Sequence, residues 1–211
     1  MSGEEDIPHY SLEEGKQLVN LARKGILHYL AFNELLEEPE DIPEKFQKKS
    51  GVFVTLNKLT ESGEKKLRGC IGYPLPILPL VQATIQGATS AAINDPRFPP
   101  VTTDEMKRII IEVTVLTPPR VLKVKKPEEY LEKIKIGRDG LIIKRGGWSG
   151  LLLPQVPIEW NWTVEEFLDH TCNKAGLAGD CWKKADTEVA VFSGIIFQEK
   201  QPTGEVAHKA I

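Results

Sequence analysis

Leu67-Arg68-Gly69-Cys70-Ile71-Gly72 reads as a β-strand, and side chains in a strand alternate between its two faces. Leu67, Gly69 and Ile71 then share one face, while Arg68, Cys70 and Gly72 share the other. A guanidinium and a thiol therefore project the same way, with their Cα atoms roughly 6.5–7 Å apart. Gly69 and Gly72 remove the bulk that would crowd that thiol. A strand also needs partners. Residues 51–59 form a second β-like run, joined to the first by the polar connection 60–66 with Gly63 inside it, which spells a hairpin.

Working outward, Ser11 and Glu14 have capping-box spacing. Leu12, Val19, Ala22, Ile26 and Tyr29 then follow a helical stripe, so a helix is expected over 12–32. An acidic stretch with Pro39 and Pro43 reads as loop or short helix. Beyond Pro74, Pro76 and Pro79 a helix is expected to about Asn94, with Ala83, Gly87 and Ala91 forming a face without bulk. Residues 108–116 alternate as a strand that Pro118-Pro119 stops. Strands at 140–145 and 148–153 join through Gly146-Gly147. Thr163 and Glu166 cap a further helix, and 188–198 reads as a final strand. All four tryptophans fall between 148 and 182.

The chain has 211 residues, 41% hydrophobic and 27% charged, with a formal net charge of −3. That is ordinary for a soluble globular protein and gives no whole-molecule field for nucleic acid. Lysine and glutamate dominate the charged set, a bias met in thermophilic proteins. Residues 1–6 are acidic without an apolar run, no stretch reaches membrane-spanning length, and no signal peptide is expected. Three scattered cysteines in such a chain are expected to be reduced, which points to the cytoplasm.

The hexapeptide resembles the hallmark of the AMMECR domain family. Asp95-Pro96-Arg97-Phe98-Pro99-Pro100 and Gly150-Leu151-Leu152-Leu153-Pro154-Gln155-Val156 are similar to its other recurrent segments. The likeness runs from about Leu12 to Gln198. It implies an α+β fold of two subdomains, each an antiparallel sheet packed by helices, with the hexapeptide facing a cleft between them. The larger subdomain would combine residues 1–118 and 188–211, and 119–187 would form a smaller insertion. Members of the family also occur joined to domains resembling metal-dependent dioxygenases and radical enzymes, which suggests a role in a modification pathway. The resemblance names no reaction.

Cys70 is the first chemical candidate. A buried small hydrophobe is the ordinary role of a strand cysteine, whereas a cationic neighbour such as Arg68 would lower its pKa and make it a nucleophile or redox thiol. The base such a thiol needs has few sources: His9 and His208 in expected frayed termini, His28 in the first helix, and His170 on the outer face of the later one. His170, Cys172 and Cys181 lack the close cysteine pairs of structural zinc sites, so no metal is expected, nor any other cofactor. Cys172 falls on the buried face of its helix. Arg97 either pairs with Asp95 or joins Arg68 in receiving anionic or carbonyl groups. Residues 123–145 carry eight Lys/Arg against four Asp/Glu, a mixed run that reads as a solvated face and not as a nucleic-acid site.

The leading expectation is a cleft-binding protein for a peptide or another macromolecule. Arg68, Gly69, Cys70, Gly72 and Arg97 would form one wall, with Pro154 and Gln155 opposite. The alternative is an enzyme using Cys70 in the same place.

Overall fold

A computed structural model describes residues 10–209. Its elements run α1 (Leu12–Phe32), β1 (Gly51–Leu59), β2 (Lys65–Tyr73), α2 (Leu80–Ile93), β3 (Ile109–Leu116), β4 (Arg120–Val121), α3 (Glu129–Lys133), β5 (Asp139–Arg145), β6 (Trp148–Leu152), α4 (Val156–Glu159), α5 (Val164–Lys174), β7 (Glu188–Glu199) and β8 (Val206–Lys209). Every strand pairing described is antiparallel, so the α+β expectation holds. The chain divides into two compact units, one holding the chain up to Leu116 and from Ile195 on, the other Thr117–Gly194. The second change of unit thus falls inside β7 and not at Thr187. Val189 and Val191 lie in the core of the second unit and Phe197 in that of the first, so one strand serves two cores.

In the first unit, β1 pairs with β2 on one side and β3 on the other. The residues of β1 and β3 that face the helices, Val52, Val54, Leu56, Ile109, Ile111, Val113 and Val115, are all sealed in one core with Leu18, Val19, Ala22 and Ile26 of α1. α1 begins in the expected capping box, with Ser11 Oγ accepting from the Glu14 amide. Leu12, placed on the apolar stripe, is exposed instead. The alanines of α2 let it lie close on β2. A buried ion pair was not legible: Arg23 of α1 donates from Nε and Nη2 to Glu199 at 2.8 and 2.6 Å. His208 is not in a frayed end; it pairs with Phe197 in β8. His9 lies outside the described residues.

In the second unit, β5 pairs with β6 and with the first half of β7. α5 is capped by Thr163 and Glu166 as expected. Cys172 and Cys181 are joined by a disulfide, which overturns the expectation of reduced thiols. The chain leaves α5, turns, and re-approaches in the 3-10 turn Gly179–Lys183, which brings the two Cα atoms to 6.0 Å, within the span a disulfide bridges. Among the described residues, no helix is long and apolar enough to cross a membrane.

Candidate functional site around Cys70

β2 departs from simple alternation at one point. Leu56 pairs with Gly69 but Asn57 pairs with Leu67, so Arg68 is the extra residue of a β-bulge. A bulge re-aims the side chain it carries. The expected sharing of one face by Arg68 and Cys70 therefore fails. Arg68 is 8% exposed, and its Nε and Nη2 donate to Glu105 at 3.2 and 3.0 Å. Nη2 also donates to the Pro100 carbonyl at 3.3 Å, while the buried Nη1 has no partner.

Cys70 follows the alternation. Thr55 of β1 sits opposite Cys70 on one side and Glu112 of β3 on the other. A thiol, a hydroxyl and a carboxylate thus form a row across the sheet face turned away from the helical core. Thr55 Oγ1 donates to the Cys70 sulfur at 3.2 Å. Glu112 accepts from Gln198 and Lys209, each at 2.9 Å. Gly69 and Gly72 are required by close approach: a Cβ at Gly69 would run into the Ala91 carbonyl of α2, and one at Gly72 into the Val52 carbonyl.

The segment after α2 closes around β2 at Cys70. The Cys70 amide donates to Asp95 Oδ2 at 2.8 Å. Arg97 grips the same carboxylate from both sides, Nε to Oδ1 at 2.9 Å and Nη2 to Oδ2 at 2.7 Å, and Nη2 reaches the Cys70 carbonyl at 3.5 Å. The Arg97 side chain is still 53% exposed. Both Arg68 and Arg97 lie over the ring of Phe98, at 5.8 and 5.5 Å from its centroid.

The electrostatics follow from these contacts. The Arg97 guanidinium holds the buried Asp95 carboxyl well below the usual carboxylate range, against the opposing effect of burial. Arg68 lowers Glu105 to about 2, helped by Lys58. For Cys70, burial dominates and pushes the thiol pKa up, while the Thr55 hydroxyl and Arg97 pull it down less strongly. The cation acting on the thiol is Arg97, not Arg68, whose charge is spent on Glu105.

Pro154 is buried and Gln155 exposed, both in the second unit. His170 stacks on Trp162 with ring centroids 3.9 Å apart, and the His28 ring is tilted against Phe32 at 4.9 Å. The disulfide takes up Cys172 and Cys181, two of the three candidate metal ligands, and among the described residues no group of three His, Cys, Asp or Glu is placed to hold a metal. Sequence reasoning missed Thr55, Glu105 and Glu112. Register alone could have supplied Thr55, because it lies opposite Cys70 in the hairpin.

Residues 19–197 match the sequence model of the AMMECR1 family. Protein PYRAB00100 of Pyrococcus abyssi is 54% identical over 94% of this chain and 97% of its own. The chain belongs to the AMMECR1 family. Protein MJ0810 of Methanocaldococcus jannaschii is 52% identical over 95% of this chain and 98% of its own. The crystal structure of the uncharacterized protein PH0010 from Pyrococcus horikoshii superposes with a TM-score of 0.81 at 52% identity, covering 94% of this chain and 98% of that one. The site around Cys70 lies within the residues that match the AMMECR1 family.

Proposed function

We propose that this chain is a binding protein for a peptide or peptide-like segment of a macromolecule, and that the surface around Cys70 and Arg97 receives it. The observation that carries this reading is the state of Arg97. Its guanidinium is fixed on Asp95 through Nε and Nη2, half exposed, and among the described residues Nη1 makes no hydrogen bond. A planar fork held on one edge by a carboxylate presents its other edge ready for a carbonyl or carboxylate oxygen. Nη1 of Arg68 is also unpaired but is buried and turned away from Cys70, so the exposed Arg97 fork is the donor this surface offers. An oxygen acceptor such as a peptide carbonyl fits it.

The thiol supports binding over catalysis. A nucleophilic cysteine acts as thiolate and is usually paired with a base. Burial raises this thiol, and its hydrogen-bond partner is Thr55, which donates to sulfur and accepts no proton from it.

Selection from a random peptide library tests the reading, with the wild type, Arg97→Gln and Cys70→Ser compared on the peptides recovered. Arg97→Gln should weaken binding about tenfold, the order expected for losing a charged hydrogen bond. Cys70→Ser should leave affinity nearly unchanged. Unchanged binding by a folded Arg97→Gln variant, or a covalent adduct that needs Cys70, would overturn it.

A further inference from the structure

A second surface of the first unit lies away from Cys70. A groove of about 470 Å³ runs where the chain leaves α1, lined by Leu35, Leu36, Ile85, Gln82 and Gln86 among others. Leu35 is 48% exposed, and Phe32, in the last turn of α1 just before it, is 66% exposed. A single exposed apolar side chain is ordinary, but apolar side chains gathered along one groove mark a candidate docking surface. Leu36 meanwhile packs partly against the core, so the groove has a fixed apolar wall.

Charge identifies the occupant. Residues 34–44 contain Glu34, Glu37, Glu38, Glu40, Asp41 and Glu44 and no basic residue, a local charge of −6 in a chain whose total is −3. All six are exposed. Glu38 is hydrogen-bonded to the neutral amides of Gln47 and Gln82, and among the described residues none of the six forms an ion pair. Elsewhere in the unit, carboxylates are neutralised in place: Asp95 by Arg97, Glu105 by Arg68 and Lys58, and Glu199 by Arg23. Lys45, Lys48 and Lys49 follow directly in sequence, but Glu37 and Glu38 line the groove itself, so carboxylates without an ion pair stand beside its apolar wall.

We infer that this groove docks a basic amphipathic segment of a partner protein, whose apolar side chains enter beside Leu35 and Ile85 while its Lys and Arg residues meet the acidic rim. Such a segment satisfies both the apolar wall and the charge. A nucleic acid has the wrong sign. A second copy meeting the same face about a two-fold axis would set one acidic rim against another.

The experiment uses the full chain and a synthetic Leu/Lys amphipathic helix, with a Leu/Glu helix of the same apolar pattern as control. Amide NMR shifts should move at Leu35, Leu36 and Ile85 with the Leu/Lys peptide alone. The double reversal Glu37→Lys/Glu40→Lys should weaken binding about tenfold, as should Leu35→Ser, and added salt should weaken it further. All three substituted positions are exposed, so the variants should fold. Equal binding of the Leu/Glu peptide, indifference to charge reversal, or a dimer in sedimentation that Leu35→Ser dissociates would overturn the inference.

Discussion

The backbone amide of Cys70 donates to the buried carboxylate of Asp95 at 2.8 Å, so a side chain takes the place that a neighbouring strand would occupy beside β2. An open strand edge invites pairing with other chains. Here the carboxylate satisfies the Cys70 amide, and Arg97 in turn neutralises the carboxylate. Asp95→Ala should therefore strip a hydrogen bond from Cys70 and a partner from Arg97 together. A loss of about 2–4 kcal/mol is expected in urea denaturation, because buried charged hydrogen bonds are removed.

Acid should weaken the first unit in a defined window. Glu105 is lowered from 4.5 to about 2 by Arg68, then Lys58. A depressed carboxylate contributes stability that is fully present above its unfolded pKa and lost as pH falls. Its contribution should therefore fade from about pH 4.5 down to pH 2, and amounts to at most about 3 kcal/mol. Glu105→Gln should be less stable than wild type at pH 7, and the difference should shrink toward pH 2 in denaturation series across pH.

Two glycines should respond oppositely to alanine. A Cβ at Gly69 runs into the Ala91 carbonyl, a backbone atom that cannot yield easily. Gly69→Ala should cost about 3 kcal/mol, the upper end of overpacking penalties. At Gly25 inside α1 the nearest atom would be 3.5 Å away, an ordinary contact. Gly25→Ala should gain about 0.5–1 kcal/mol from helix propensity. Melting temperatures of the two variants decide the matter.

The disulfide between Cys172 and Cys181 closes a separation of 9 residues. On the loop-entropy relation it should contribute about 2.5 kcal/mol. Unfolded without reductant, the chain should show one titratable thiol. The double variant Cys172→Ala/Cys181→Ala should melt earlier. Three thiols under those conditions would contradict the assignment.

Periodicity and capping made most of the elements legible. Ser11 with Glu14 and Thr163 with Glu166 marked two helix starts because the box is a local hydrogen-bond pattern. Strands with strict alternation, such as β3, announced themselves for the same reason. What was hidden depends on contacts distant in sequence. At the bulge, Glu105 and Pro100, both distant in sequence, hold the Arg68 guanidinium. Glu199 joins Arg23 across 176 positions, which no window of sequence spans. β8 and α4 are too short for a period to register. Family resemblance drew attention to Cys70 and Arg97, yet which arginine faces the thiol could be learned only from the register.

On the proposed reading, Cys70 belongs to a recognition surface and stays a neutral thiol at physiological pH. With Cys172 and Cys181 joined, Cys70 is the free cysteine, so alkylation by iodoacetamide can be followed on the native wild-type chain as a function of pH. The rate profile should give a midpoint above the ordinary thiol value of about 8.5, and Thr55→Val should raise it further by removing the donor to sulfur. A midpoint near or below neutrality would mean a standing thiolate, and would make this site a reactive one in place of a binding one.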